Sequence, residues 1–119
     1  MHYSILIYAD EGLFDRLPEE QQEAVLQKHR DLQAKLAEEG KLGPVAKLMG
    51  TSTAMTVRSQ GQSVVVLDGP FAETKEQLLG FYVVECDSIE EAIDAAKQLP
   101  QGVAIMEVRP VAWFGGPGS

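Results

Sequence analysis

The amino-acid sequence predicts an α+β fold in which an antiparallel sheet carries two helices on one face. Three observations lead there. Short apolar, β-branched segments recur at residues 2–8, 53–58, 63–67, 80–86 and 103–111. Two segments between them place apolar residues at three-and-four spacing. The resulting order is strand, long helix, hairpin, strand, helix, strand, the split β-α-β arrangement of ferredoxin-like domains.

Each element has its own signals. "HYSILIY" at residues 2–8 is apolar and aromatic and is bounded by the turn-forming "ADEG", which suits a strand. Over residues 18–39, proline at the first helical position and early glutamates start a helix, and Gly40 stops it. Val25, His29, Leu32 and Leu36 share one stripe of that helix, so the histidine points inward. After a Gly/Pro-containing link, residues 53–58 and 63–67 read as a hairpin around "SQGQ". The aromatic and β-branched "GFYVVEC" at 80–86 is a further strand. Ser88 followed by Glu91 forms a capping box, and Ile89, Ala92, Ile93 and Ala96 give a helical face that ends at Pro100 and Gly102. "VAIMEVRPV" closes the sheet, and the tail after it is loose apart from Trp113 and Phe114.

At 119 residues and 13.0 kDa the chain makes one domain with one core. Its 45% hydrophobic and 24% charged residues exclude a disordered or fibrous class. A net charge of −8 with scattered basic residues would repel a phosphate backbone, so nucleic acid is not an expected partner. The N-terminal apolar run is too short for a signal peptide or a membrane span, which points to a cytoplasmic protein without a membrane partner. Cys86 is the single cysteine and reads as a small buried hydrophobe. With two distant histidines and one cysteine, no metal-ligand spacing is present and no metal is expected.

Both faces of the predicted strands are apolar: Ile5 and Ile7 against Leu6 and Tyr8, Phe81 and Val83 against Tyr82 and Val84, Val103 and Ile105 against Ala104 and Met106. A sheet with one wet face alternates apolar with polar, and two helices cover only one side. The second face therefore calls for the sheet of another copy, and a homodimer through sheet faces is expected. The alternative is that the tail and the 40s loop cap that face within one chain.

The run "LDGPFAETKEQLLGFYVVE", with "ILIYADE" near the start and "MEVRPV" near the end, resembles the DGPF-domain branch of the YCII-related family. The likeness covers residues 1–111 and leaves 112–119 as a C-terminal tail. It implies a small bacterial protein of the dimeric α+β barrel type, from a branch whose genes often neighbour or fuse to alternative sigma factors. Some wider relatives are thought to use a histidine and an aspartate, and at least one is implicated in removing chloride from a chlorinated hydroxyquinone. The histidine in the middle of the first helix is matched by His29, whereas the arginine often found three residues earlier is replaced by Leu26. Asp68, the aspartate of the signature, sits at the end of a strand and is taken as the acidic partner.

A histidine on the inner face of a helix, meeting an aspartate at a strand end, makes an oriented base. The carboxylate fixes the imidazole tautomer while the other ring nitrogen takes a proton from a substrate, and this chemistry needs no cofactor. The plainer readings are that His29 is a core-edge residue bonded to backbone and that Asp68 sets the turn of Asp-Gly-Pro. Gly69 supplies a turn conformation, Pro70 stiffens it, and Phe71 is expected to bury its ring beneath the strand ends. Glu73 and Lys75 either form a solvated turn of helix with Glu76 or fold back over the cleft to hold a polar ligand. Asp10, with Glu11 at the end of the first strand, lines the same pocket or simply makes a turn. Arg58 in the hairpin attracts an anionic substrate group or faces water. Tyr8 and Tyr82 line a cavity or belong to the core.

Two functions follow from different classes. One is a cofactor-independent lyase or isomerase for a small polar organic molecule, with His29 as base and Asp68 orienting it. The other is a non-catalytic dimer that binds a small ligand or a protein, tied to sigma-factor-controlled transcription. Cofactor-independent oxygenation rests only on analogy with other α+β barrels.

Overall fold

The computed structural model describes residues 1–116, and the end of the tail expected over 112–119 lies outside the described residues. Strand β1 (His2–Asp10) is followed by a single turn of helix, α1 (Leu13–Arg16), and the long helix α2 (Glu19–Glu38). Strand β2 (Leu42–Lys47), a 3₁₀ turn at Thr51–Thr53, and strands β3 (Met55–Gln60) and β4 (Ser63–Asp68) come next. Strand β5 (Glu76–Glu85), helix α3 (Ile89–Lys97) and strand β6 (Ile105–Pro110) complete the chain. The main sheet has the order β2-β5-β1-β6 and its recorded pairs are antiparallel, so the α+β, ferredoxin-like fold class is the one observed.

The second strand of that fold is not the hairpin. It is β2, within the segment read from sequence as a link, because Gly43 and Pro44 hide its strand pattern. Proline is tolerated there because β2 is an edge strand with a register shift between Leu42 and Val45. Gly43 and Gly80 let the strands close up. A Cβ at 43 would lie 2.6 Å from the Val83 carbonyl oxygen, and one at 80 would lie 2.5 Å from that of Ala46. The hairpin β3–β4 forms as expected around Gly61, whose φ of +64° favours glycine, but it is a separate two-stranded arm inserted between β2 and β5.

Helix α2 begins with Pro18 at its cap, whose carbonyl accepts from the N–H groups of Gln21 and Gln22. It ends in a glycine motif: Gly40 (φ +71°) donates to Ala37 and Lys41 to Leu36. Helix α3 is capped by Ser88, whose hydroxyl accepts from the Glu91 N–H at 3.2 Å. The Glu91 carboxylate reaches back to the Asp87 N–H rather than to Ser88, and also pairs with Lys41 at the end of α2, tying the two helices. Tyr3, Ile5, Tyr82 and Val84 meet Leu32 and Leu36 of α2 and Ala92, Ala95 and Ala96 of α3 to form the core. Cys86 lies in that core, and burial pushes its thiol pKa up. Among the described residues no helix is long and apolar enough to cross a membrane.

Three further residues depart from the sequence reading. Phe71 is 83% exposed rather than buried beneath the strand ends. Glu73 and Lys75 lie in an irregular loop, not in a turn of helix. After β6, the Val111 N–H donates to the His2 carbonyl, and in the tail Phe114 stacks on His2 with ring centroids 4.6 Å apart.

Candidate functional site

Between α2 and the sheet lies a cavity of about 300 Å³, a volume suited to a small molecule. Its walls are largely apolar, with Ile7 and Ala9 from β1, Val25 and Leu26 from α2, and Val103, Ala104 and Met106 around the start of β6. The polar side chains on it are few: Asp10, His29, Gln33, Lys47 and Tyr82. The segment bearing α1 walls one side through Gly12 and Phe14. Gln22 of α2 pins that segment by donating its amide to the carbonyls of Phe14 and Leu17, each at 3.1 Å.

His29 and Gln33 are four residues apart on α2 and therefore share a face. Both reach the hydroxyl of Tyr82, which β5 directs toward the helices. His29 Nδ1 lies 2.8 Å from Tyr82 Oη, and Gln33 Nε2 donates to the same oxygen at 3.1 Å. Tyr82 is 1% exposed, so its O–H needs an internal acceptor, and Nδ1 of His29 is the one within reach. Hydrogen-bond accounting thus assigns the imidazole proton to Nε2. Burial, and then the nearby Lys47 cation, hold the His29 pKa below the ordinary histidine value. Burial raises that of Tyr82, with the Gln33 bond acting in the opposite sense. At neutral pH the pair is an uncharged imidazole accepting from an uncharged phenol.

Two charges stand at the cavity. Lys47 sits over the Phe14 ring, 5.6 Å from its centroid, where the aromatic face favours a cation. Asp10 is held by Arg16 at 3.4 Å. The arrangement offers an N–H donor and a cation to a substrate oxygen, a carboxylate at the rim, and an apolar wall for a hydrocarbon or aromatic body.

Of the residues singled out from sequence, His29 and Asp10 are brought to this cavity. Asp68 is not. It ends β4 opposite Met55 on the arm, and among the described residues no hydrogen bond or ion pair joins it to His29. The group bound to His29 is Tyr82. Arg58 is exposed on β3. Glu73 and Lys75 line a second, more open depression with Asp10, Glu11, Thr51 and Thr74, where the Glu11 carboxylate accepts from the Thr51 N–H at 3.0 Å. Among the described residues no group of three His, Cys, Asp or Glu side chains comes together to hold a metal.

Gln33 was findable by its spacing from His29, and Tyr82 by alternation with Val84 along β5. Lys47 was not, since its strand is disguised by Gly43 and Pro44.

The model of the YCII-related domain matches residues 1–114. The chain belongs to the YCII-related family. An uncharacterized protein of Rhizobium meliloti (strain 1021) is 44% identical to it over 117 residues, covering 96% of this chain and 94% of that protein. The YCII-related domain thus takes in all three helices, the arm and the whole lining of the cavity.

Proposed function

We propose that this YCII-related protein, of the DGPF branch by its "LDGPFAETKE" signature, binds a small organic molecule in the α2 cavity and performs proton-transfer chemistry of the lyase or isomerase type on it. The observation that carries this reading is that a neutral, hydrogen-bonded His29 and the Asp10 carboxylate line one largely apolar cavity. The His29 Nε2–H donates to a substrate carbonyl or phenolic oxygen, and Lys47 stabilises negative charge as it grows there. Asp10 takes the proton. Tyr82 and Gln33 hold the imidazole in the required tautomer and orientation. Asp68, Arg58, Glu73 and Lys75 stand outside this cavity and have no part in the proposed step.

The test is a thermal-shift screen of small carboxylates, phenols and ketones, followed by NMR observation of solvent deuterium entering each hit at carbon. A hit whose stabilisation and exchange both disappear in His29→Ala and Asp10→Asn supports the reading. Binding that survives both substitutions, or no binder at all, overturns it.

One observation favours a second reading, a ligand-binding or regulatory dimer linked to sigma-factor-controlled transcription. The Tyr82–His29–Gln33 network is satisfied internally, as a packed histidine would be. Under that reading ligands bind without exchange, and His29→Ala changes stability more than any turnover. Under either reading the assembly is proposed to be a homodimer in which the open faces of two sheets, bearing Leu6, Tyr8 and Phe81, face each other.

A further inference from the structure

The charges at the mouth of the α2 cavity define what its ligand carries. Lys47 is the last residue of β2 and Asp10 the last of β1. Both strands pair antiparallel with β5 and so run the same way, which puts the two side chains at one end of the sheet. Gly80 of β5 pairs with Lys47 on one side and with Ile7 on the other, so the strands bearing the two charges are two spacings apart, roughly 10 Å. A cation and a carboxylate thus flank one opening into a largely apolar space.

The two charges are not equivalent. Asp10 is already paired with Arg16 at 3.4 Å, and Arg16 does not line the cavity. Lys47 has no such partner. Among the described residues no carboxylate pairs with its ammonium, and the group it sits over is the Phe14 ring, 5.6 Å away at the centroid. An aromatic face holds a cation in place without cancelling its charge. A ligand entering here meets one uncompensated positive charge, one neutral N–H at His29 Nε2, and the hydrocarbon of Ile7, Ala9, Leu26 and Met106. The first calls for an anionic group, the second for a carbonyl oxygen and the third for an apolar body. Proton removal by Asp10 adds a further condition. A C–H beside a carboxylate alone is too weakly acidic, whereas one beside a ketone is within reach of a carboxylate base when the ketone oxygen is held by a donor.

Resting on the proton-transfer reading above, we infer that the cavity takes a 2-oxo monocarboxylic acid with an apolar side chain, its carboxylate held by Lys47 and its 2-oxo oxygen by the His29 Nε2–H. Lys47 is the residue that selects this class. In the step, the C-3–H bond breaks and its proton passes to the Asp10 carboxylate. The electron pair left behind forms the C-2=C-3 double bond, and the carbonyl π pair moves to the oxygen that the Nε2–H meets. Return of the proton to C-3 restores the acid, and return to the oxygen gives the enol, so no oxidant or reductant enters. A second acid group on the ligand would find no second unpaired cation at the cavity, which disfavours dicarboxylates.

Calorimetry and NMR in deuterium oxide test this with three probes. They are 4-methyl-2-oxopentanoate, 4-methylpentan-2-one, which lacks the carboxylate, and 2-oxoglutarate, which has a second one. The wild type is expected to bind 4-methyl-2-oxopentanoate about tenfold or more tighter than either of the others, and to bring deuterium into its C-3 faster than buffer does. Lys47→Met is expected to weaken that acid about tenfold while changing the ketone by less than about threefold. Equal affinity for acid and ketone, or an equal loss of both in Lys47→Met, overturns the acid class, and exchange into the ketone would then leave the proton-transfer reading standing. Carboxylate-dependent binding with no exchange above buffer overturns the proton-transfer reading, and the 2-oxo assignment falls with it. Tighter binding of 2-oxoglutarate, or no binding of 4-methyl-2-oxopentanoate, overturns the apolar monocarboxylic acid.

Discussion

Valine occurs in the main sheet and in the arm, and it meets opposite fates. In β5, Val84 is buried beneath the helices, while on the arm Val57, Val64 and Val66 stand in solvent. Propensity is the same in both places. What differs is the layer above. Helices α2 and α3 lie on the main sheet with Leu32, Leu36, Ala92, Ala95 and Ala96, whereas β3 and β4 pair only with each other in a sheet of two strands. A β-branched pattern specifies a strand, and burial depends on a second surface that the strand does not itself carry.

Substitutions that remove the second surface test this contrast most severely. Leu32→Ala, at a side chain that is fully buried against the sheet, is expected to cost about 2–5 kcal/mol of stability in urea titrations because a cavity is left behind. A loss under about 1 kcal/mol would mean the body is as loosely covered as the arm. Tyr82→Phe leaves the Gln33 amide and His29 Nδ1 without their shared partner, and a loss of about 1–3 kcal/mol is expected. The same variant should bind any cavity ligand more weakly, measured by calorimetry, since the imidazole is no longer held. Ser88→Ala removes the acceptor of the Glu91 N–H and loosens the α3 cover by about 1 kcal/mol.

The pH dependence sharpens the comparison within the body. Because the folded His29 pKa lies below its unfolded value near 6.5, the unfolded chain takes up the proton first as pH falls. The stability held by the neutral ring is complete above about pH 6.5 and is lost on acidification toward the folded pKa. The melting temperature of wild type should therefore drop more between about pH 7 and about pH 5.5 than that of His29→Gln, and parallel curves would contradict the burial argument. The smallest effect is expected on the arm. Val64→Thr should change the stability of the dilute chain by no more than about 0.5 kcal/mol. A loss that grows with protein concentration would show that a second copy covers the valine face.

Much of the fold was legible. The α2 stripe, the Gly40 stop, the Ser88 cap and the β1, β5 and β6 segments all rest on local signals between residues close in sequence. Strand β2 was missed because its edge position, which excuses Pro44, is a property of the sheet and not of the segment. For the same reason the hairpin was placed in the sheet: alternation cannot say which strands neighbour one another. Phe71 was expected inside because it is aromatic and follows Gly-Pro, yet the loop carries it into solvent.

The candidate site divides in the same way. Local sequence determined that His29 sits on the inner face of a long helix and that Asp68 ends a strand, because helical period and turn chemistry act over a few residues. Only the tertiary structure decided that His29 meets Tyr82, 53 residues away, and not Asp68. That choice depends on strand order, which the packing of helices on one face of the sheet and the close approach of β2 at Gly43 and Gly80 settle among residues remote in sequence.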